Sequence, residues 1–268
     1  MNERPIGIFD SGIGGLTVLS EIRRLLPAEH TIYLGDTARV PYGIRSAETV
    51  TRYSFECASF LMRQNIKMLV VACNTVSAIS LPLIPERVNV PVIGVIEPGA
   101  RAAAAATRNN RVGVIGTEAT VKSGAYSKAI KNIKNNIEVH SLACPLFVPL
   151  VEEGWTDGEI ARLVIEKYLS GIKETGVDTL VLGCTHYPLL KPTIQSVMKD
   201  VALIDSAIET AKTVKELLEK TGTGRTSPEA AQHGFFVTDS PEKFISVGEG
   251  FLKRKIEDIK KIALPMEV

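Results

Sequence analysis

Apolar residues fall along this chain in two kinds of stretch that take turns. Short unbroken runs rich in Val, Ile and Leu lie at residues 5–9, 31–34, 69–71, 91–95, 111–115, 137–142, 178–183 and 234–238. They read as strands buried on both faces of a parallel sheet. Between them, apolar residues recur every three or four positions, the spacing of a helix with one inner face. Leu19, Ile22 and Leu26 share such a face, as do Val50, Tyr53, Cys57 and Leu61 in a helix predicted over 47–64. The alanine run 102–106 is a strong helix former, and another helix is predicted over 159–172. Ser240-Pro241 read as the cap and first residue of a last helix, with Phe244, Val247 and Phe251 inside. Strands and helices in alternation predict an α/β fold with parallel sheets.

One pattern occurs twice. Leu69-Val70-Val71-Ala72-Cys73-Asn74-Thr75 and Leu180-Val181-Leu182-Gly183-Cys184-Thr185-His186 are both apolar runs that end in a cysteine and then polar residues, at an offset of 111. The same offset carries Val90-Pro91-Val92-Ile93 onto Val201-Ala202-Leu203-Ile204. Upstream, Gly7-Ile8-Phe9-Asp10-Ser11 is similar to Gly113-Val114-Ile115-Gly116-Thr117 at an offset of 106. This predicts an internal duplication, two α/β halves each giving one cysteine to a shared cleft. The plainer reading is chance similarity between two buried strands, since cysteine is often a small buried hydrophobe. Helical spacing follows each cysteine, with Val76, Ile79 and Leu83 after the first and Leu190, Ile194 and Val197 after the second. Each thiol is therefore expected at the carboxyl end of a strand and near a helix N-terminus. That edge of an open α/β sheet binds ligands, and a helix N-terminus lowers a thiol pKa.

Composition narrows the class. At 268 residues the chain can bury about three-quarters of its unfolded surface in one large or two small domains. A net charge of +1, from 31 basic and 30 acidic residues, gives no case for nucleic acid or a membrane surface. No run approaches the roughly 18 apolar residues of a membrane span, and the first apolar stretch is broken by Asp10, so no signal peptide is expected. The four cysteines, Cys57, Cys73, Cys144 and Cys184, have neither metal nor redox-motif spacing. A cytoplasmic protein with reduced thiols and no metal is expected.

Other stretches carry candidate chemistry. Asp10-Ser11-Gly12-Ile13-Gly14-Gly15 is a glycine-rich turn between strand and helix that could cradle an anion, although it lacks Walker A spacing. The carboxylate of Asp10 would repel a phosphate but suits an amine or a thiol. Pro41-Tyr42-Gly43 is a turn signature. Cys57, on the inner face of its helix, reads as core. Cys144 reads as a buried structural thiol, with lining of the cleft as the alternative. Glu152-Glu153-Gly154-Trp155 begins a loop, 222–227 reads as a flexible surface loop, and no chemistry is assigned beyond about residue 210.

Two facing cysteines limit the chemistry. A cysteine hydrolase with His186 as base would leave one thiol idle, and disulfide enzymes keep both in one local motif. Two-base proton transfer uses both as equals: one thiolate removes a proton from a stereocentre while the opposite thiol delivers one. Asp10-Ser11-Gly12-Ile13-Gly14-Gly15-Leu16, Pro41-Tyr42-Gly43, Ala72-Cys73-Asn74-Thr75 and Gly183-Cys184-Thr185-His186-Tyr187-Pro188 together resemble, in order and spacing, the signature set of bacterial glutamate racemases. The resemblance covers nearly the whole chain.

It implies an enzyme that interconverts L- and D-glutamate without a cofactor and feeds D-glutamate to peptidoglycan synthesis. Cys73 and Cys184 would be the acid/base thiols, with Asp10 and His186 assisting their neighbouring thiols and Glu152 orienting His186. Asp10, Ser11, Pro41, Tyr42, Gly43, Asn74, Thr75, Thr117, Thr185 and His186 would hold the substrate. A satisfied core histidine is the plainer reading of His186, and its place two residues after Cys184 favours the functional one. The fold expected is two pseudo-symmetric doubly wound α/β domains with the site in the cleft between them: residues 1–98 with 208–268, and residues 99–207. Relatives suggest a homodimer. The alternatives are an aspartate racemase of the same superfamily, disfavoured because those carry Glu rather than His after the second Cys-Thr, and a binding module without turnover, which would leave two opposed thiols unexplained.

Overall fold

The Val- and Ile-rich runs become strands, and every pairing between them is parallel. The structure, a computed structural model, describes residues 3–264. Its strands are β1 (Ile6–Asp10), β2 (Thr31–Gly35), β3 (Met68–Val71), β4 (Val92–Gly94), β5 (Arg111–Gly116), β6 (Glu138–Ala143), β7 (Thr179–Gly183), β8 (Ala202–Asp205), β9 (His233–Val237) and β10 (Ile259–Lys261). Its helices are α1 (Leu16–Leu25), α2 (Ala47–Arg63), α3 (Asn74–Ile79), α4 (Ile96–Ala106), α5 (Glu118–Ser123), α6 (Ala125–Ile133), α7 (Phe147–Glu152), α8 (Gly158–Glu174), α9 (Lys191–Val197), α10 (Ser206–Thr221) and α11 (Pro241–Leu252). Among the described residues no helix is long and apolar enough to cross a membrane.

Two sheets form, in the orders β10-β9-β2-β1-β3-β4 and β6-β5-β7-β8. The duplicated pattern is a duplicated structure. In the first sheet Gly7 lies opposite Leu69, and Leu69 opposite Val92. In the second, Gly113 lies opposite Leu180, and Leu180 opposite Leu203. These are the pairs that the offsets of 106 and 111 map onto one another. β1, β3 and β7 are buried along their whole length, as strands covered on both faces must be. The first sheet is extended by β9 and β10, and α10 returns from the second sheet to pack on α1 and α4.

Several expectations need correction. Cys184 is not beside a helix N-terminus: a turn and a 3-10 segment, Tyr187–Leu190, delay α9 to Lys191. Pro188 and Pro192, each lacking an N–H and each fixing φ, shape that delay. Leu83 lies in a 3-10 stretch, Leu81–Glu86, and is exposed rather than on a helix face. Glu152 ends a helix, α7, instead of beginning a loop. Ser240 precedes α11 in a left-handed conformation (φ 48°), and its side chain caps nothing. The 222–227 loop is held down by a buried Arg225, whose guanidinium donates to Glu3 (2.6 Å) and to the Ala28 carbonyl (3.1 Å).

Candidate active site

Both cysteine segments leave the carboxyl ends of central strands, where the backbone turns away and side chains face the same edge. Cys73 follows β3 and precedes α3, and Cys184 follows β7; each is 5% exposed. All four cysteines are free thiols. Cys57 and Cys144 are fully buried, each inside a different apolar cluster.

Around Cys73, the thiol donates to the Ser11 hydroxyl at 3.5 Å. Asp10, at the end of β1, is buried beside it. One oxygen, Oδ2, accepts from the Gly12 N–H at 2.9 Å, while Oδ1 is buried with no partner. Burial raises the Asp10 pKa, against the opposing pull of the His186 charge and the backbone N–H groups of Gly12, Gly15 and Ser11. The Cys73 thiol is pushed up to about 12, first by burial and then by the negative charge of Asp10. Hydrogen bonds from Ser11 and the Val76 N–H offset this only in part. The expected lowering by a helix N-terminus is thus reversed, because burial and the Asp10 carboxylate outweigh it. Cys73 is held as a neutral thiol.

Around Cys184 the chemistry differs. Its sulfur lies 3.9 Å from His186 Nδ1, and His186 Nε2 lies 3.2 Å from Glu152 Oε1. Burial would lower the histidine pKa, but contacts with Cys184 and Glu152, and the charge of Asp10, raise it to about 10. His186 is therefore an imidazolium at neutral pH. The hydrogen bond from His186 holds the Glu152 carboxyl below its usual range, against partial burial and with help from Lys243, 3.9 Å away on α11. The His186 ring also stands edge-on to Phe251, 5.5 Å between centroids.

The two halves meet here. Thr75 and Thr117 hydroxyls are 3.0 Å apart, and both reach Thr120. Thr17 donates to the Thr185 carbonyl at 3.0 Å. The glycine turn gives this contact its clearance. A side chain at Gly14 would stand 2.5 Å from His186 Nδ1, and one at Gly15 would strike Asp10. Gly43 likewise passes so close to Thr117 that a Cβ would lie 2.8 Å from it. Tyr42 is buried, its hydroxyl turned to Asp36, so Gly43 is what its turn offers the second half, while Pro41 is exposed. Asn74 Oδ1 accepts from the Tyr126 hydroxyl at 2.7 Å, and its Nδ2 is buried without a partner.

Asp10, Ser11, Cys73, Asn74, Thr75, Thr117, Cys184, Thr185 and His186 thus lie at the carboxyl edges of the two sheets, Glu152 and Gly43 lie against His186 and Thr117, and Pro41 and Tyr42 stand apart. Sequence reasoning missed Thr17, Thr120, Tyr126, Lys243 and Phe251. Thr17, Lys243 and Phe251 sit on helices read only for their apolar spacing, and α5 and α6 were passed over entirely. Among the described residues no three His, Cys, Asp or Glu side chains group as a metal site would require.

The family model described as Asp/Glu/hydantoin racemase matches residues 6–214. A glutamate racemase of Geobacter metallireducens is 59% identical over 98% of each chain. Among solved structures, a glutamate racemase of Francisella tularensis, in complex with D-glutamate, is 42% identical with a TM-score of 0.93, covering 98% of this chain and 99% of its own. A glutamate racemase isoform of Bacillus anthracis is 41% identical, with a TM-score of 0.96 over the whole of both chains. An aspartate racemase of Picrophilus torridus, 21% identical with a TM-score of 0.58 over 82% of this chain and 94% of its own, shares the fold alone.

Proposed function

The chain belongs to the Asp/Glu/hydantoin racemase family, among its glutamate racemases, and from that premise we propose that Cys73 and Cys184 are its two acid/base groups. The protein is an isomerase that interconverts L- and D-glutamate. An aspartate racemase is only a distant relative, and a binding module gives the opposed thiols no work.

The observation that carries the two-base reading is the matched register. Two cysteines occupy equivalent places in two copies of one sheet, so they approach a shared ligand from opposite sides. A thiolate at Cys184 takes the α-proton of L-glutamate, and the Cys73 thiol gives its proton to the opposite face. Cys184 is left as the thiol and Cys73 as the thiolate, ready for D-glutamate. Between the two transfers the α-carbon carries an electron pair that spreads into its carboxylate. Donors from Ser11, Asn74, Thr75 and Thr185 would stabilise that charge in a site closed to water. Asp10 and His186 assist their neighbouring thiols, Glu152 orients His186, and Gly43 and Thr117 complete the substrate's walls, with Pro41 and Tyr42 shaping the loop. We assign the domains as residues 1–98 with 208–268, and residues 99–207, with residues 1–2 and 265–268 outside those the structure describes. D-glutamate made here would supply peptidoglycan synthesis in the cytoplasm. We place the enzyme as a homodimer, with Leu146, Trp155, Ile160 and Leu163, all exposed on and beside α7 and α8, as apolar surface available to a second copy.

The test is polarimetry on purified protein with L-glutamate and L-aspartate, with no added cofactor and with EDTA. Rotation should decay to zero for glutamate and persist for aspartate. Loss of activity on chelation, restored by a divalent metal, would refute the cofactor-free mechanism.

A further inference from the structure

Asn74 follows Cys73 directly and opens α3, 2% exposed. Its amide is asymmetric in its partners. Oδ1 accepts from the Tyr126 hydroxyl at 2.7 Å, whereas Nδ2 is buried and donates to nothing. Buried amide donors are almost always paired, so an orphan in a closed cleft marks the place of a missing acceptor. Tyr126 belongs to α6 in the second half, and its ring is itself seated with care. A Cβ at Gly99 would stand 3.2 Å from it, and one at Gly183, the residue before Cys184, 3.0 Å. One side chain therefore rests on the strand end that carries one cysteine and hydrogen-bonds the residue that follows the other.

We propose that Tyr126 is a positioning residue, whose hydroxyl fixes the Asn74 amide with Nδ2 turned to the substrate carboxylate that gains charge during proton transfer. The proposal rests on the two-thiol reading above. A carboxamide can present either a donor or an acceptor, and the two ends differ little in shape. An acceptor facing a carboxylate repels it, and repels it more as the charge on the carboxylate grows. A donor attracts it, most strongly in the transition state. A phenol donates more strongly than it accepts, so the Tyr126 hydroxyl prefers Oδ1 to Nδ2 as its partner and makes the useful orientation the stable one before substrate arrives. Because both enantiomers pass through the same carbanion, the effect is equal in both directions.

Rates with L- and D-glutamate are to be measured for wild type, Tyr126→Phe, Asn74→Ala and the double variant, with thermal unfolding of each. Tyr126→Phe should lower kcat roughly tenfold in both directions and move KM far less. Added to Asn74→Ala, it should change kcat by less than about twofold, since there is no amide left to orient. An unchanged kcat, or the same loss in both backgrounds, overturns the proposal. If Asn74→Ala alone keeps the wild-type kcat, it is the reading of Asn74 as a substrate residue that fails. In wild type, where no variant can confuse folding with function, the Asn74 side-chain amide resonance, identified by its absence in Asn74→Ala, should shift when D-glutamate binds. No shift also overturns the proposal.

Discussion

The imidazole of His186 is held between a sulfur and a carboxylate, and the consequence is a charge where burial alone would allow none. Its pKa of about 10 in the fold, against 6.5 for a free histidine, means that protonation stabilises the native state. That contribution is complete below pH 6.5 and disappears as pH rises through about 10. Glu152 is one cause of the shift, so Glu152→Gln should lower the folded-state pKa and destabilise the protein at pH 6.5 by about 1–2 kcal/mol. The gap between variant and wild type should narrow as pH rises through about 10, above which His186 is neutral in both. Urea unfolding midpoints at the two ends of this range measure it. A gap independent of pH would mean that Glu152 acts by packing rather than through the histidine charge.

At the scale of elements, the site depends on how closely α1 and its preceding turn dock on the His186 segment. Gly14→Ala would drive a methyl group into Thr185 and His186. Displacing His186 should cost activity on the order of 100-fold, with a loss of stability of about 1–3 kcal/mol. Gly171→Ala is the control. It lies exposed in α8 with open space around its Cβ, so it should leave kcat unchanged and stabilise the helix by up to about 1 kcal/mol. Equal losses of activity in both would show that the close approach at Gly14 is incidental. The same docking explains what the sequence revealed and what it hid. Strands such as β3 and β7 were legible because buried parallel strands are unbroken apolar runs, and the repeat offset carried even their register. The clearance that Gly14 gives a histidine far along the chain is a tertiary fact, and no local pattern in the glycine turn announces it. α5 and α6 went unread because Lys122, Lys128, Lys131 and Asn132 interrupt a short apolar pattern. Thr120 and Tyr126 therefore came to light only in three dimensions. At Cys73 the local cue was overruled, since burial and Asp10 outweigh a helix terminus.

One four-stranded parallel unit occurs twice in the molecule, β2-β1-β3-β4 and β6-β5-β7-β8, and in the proposed mechanism each copy brings one thiol to one face of the same carbon. The copies are not equivalent in charge. Cys73 faces a carboxylate and is held as a thiol, while Cys184 faces an imidazolium backed by Glu152. If each thiol serves one face, Cys73 acts on D-glutamate and Cys184 on L-glutamate. A serine hydroxyl is a far weaker base than a thiolate, yet it can still return a proton. Cys184→Ser and Cys73→Ser should each abolish racemisation in both directions, because every turnover uses both groups. Each should keep the chemistry of the face it retains. In deuterium oxide, wild type should place solvent deuterium mainly in the newly formed enantiomer, since each face has its own proton source. With a glutamate analogue bearing a good leaving group on its β-carbon, proton removal alone leads to elimination. Cys184→Ser should then eliminate from the D form only and Cys73→Ser from the L form only. Two variants that process the same enantiomer, or a single variant that racemises at the wild-type rate, would show that the duplicated halves do not divide the two faces between them.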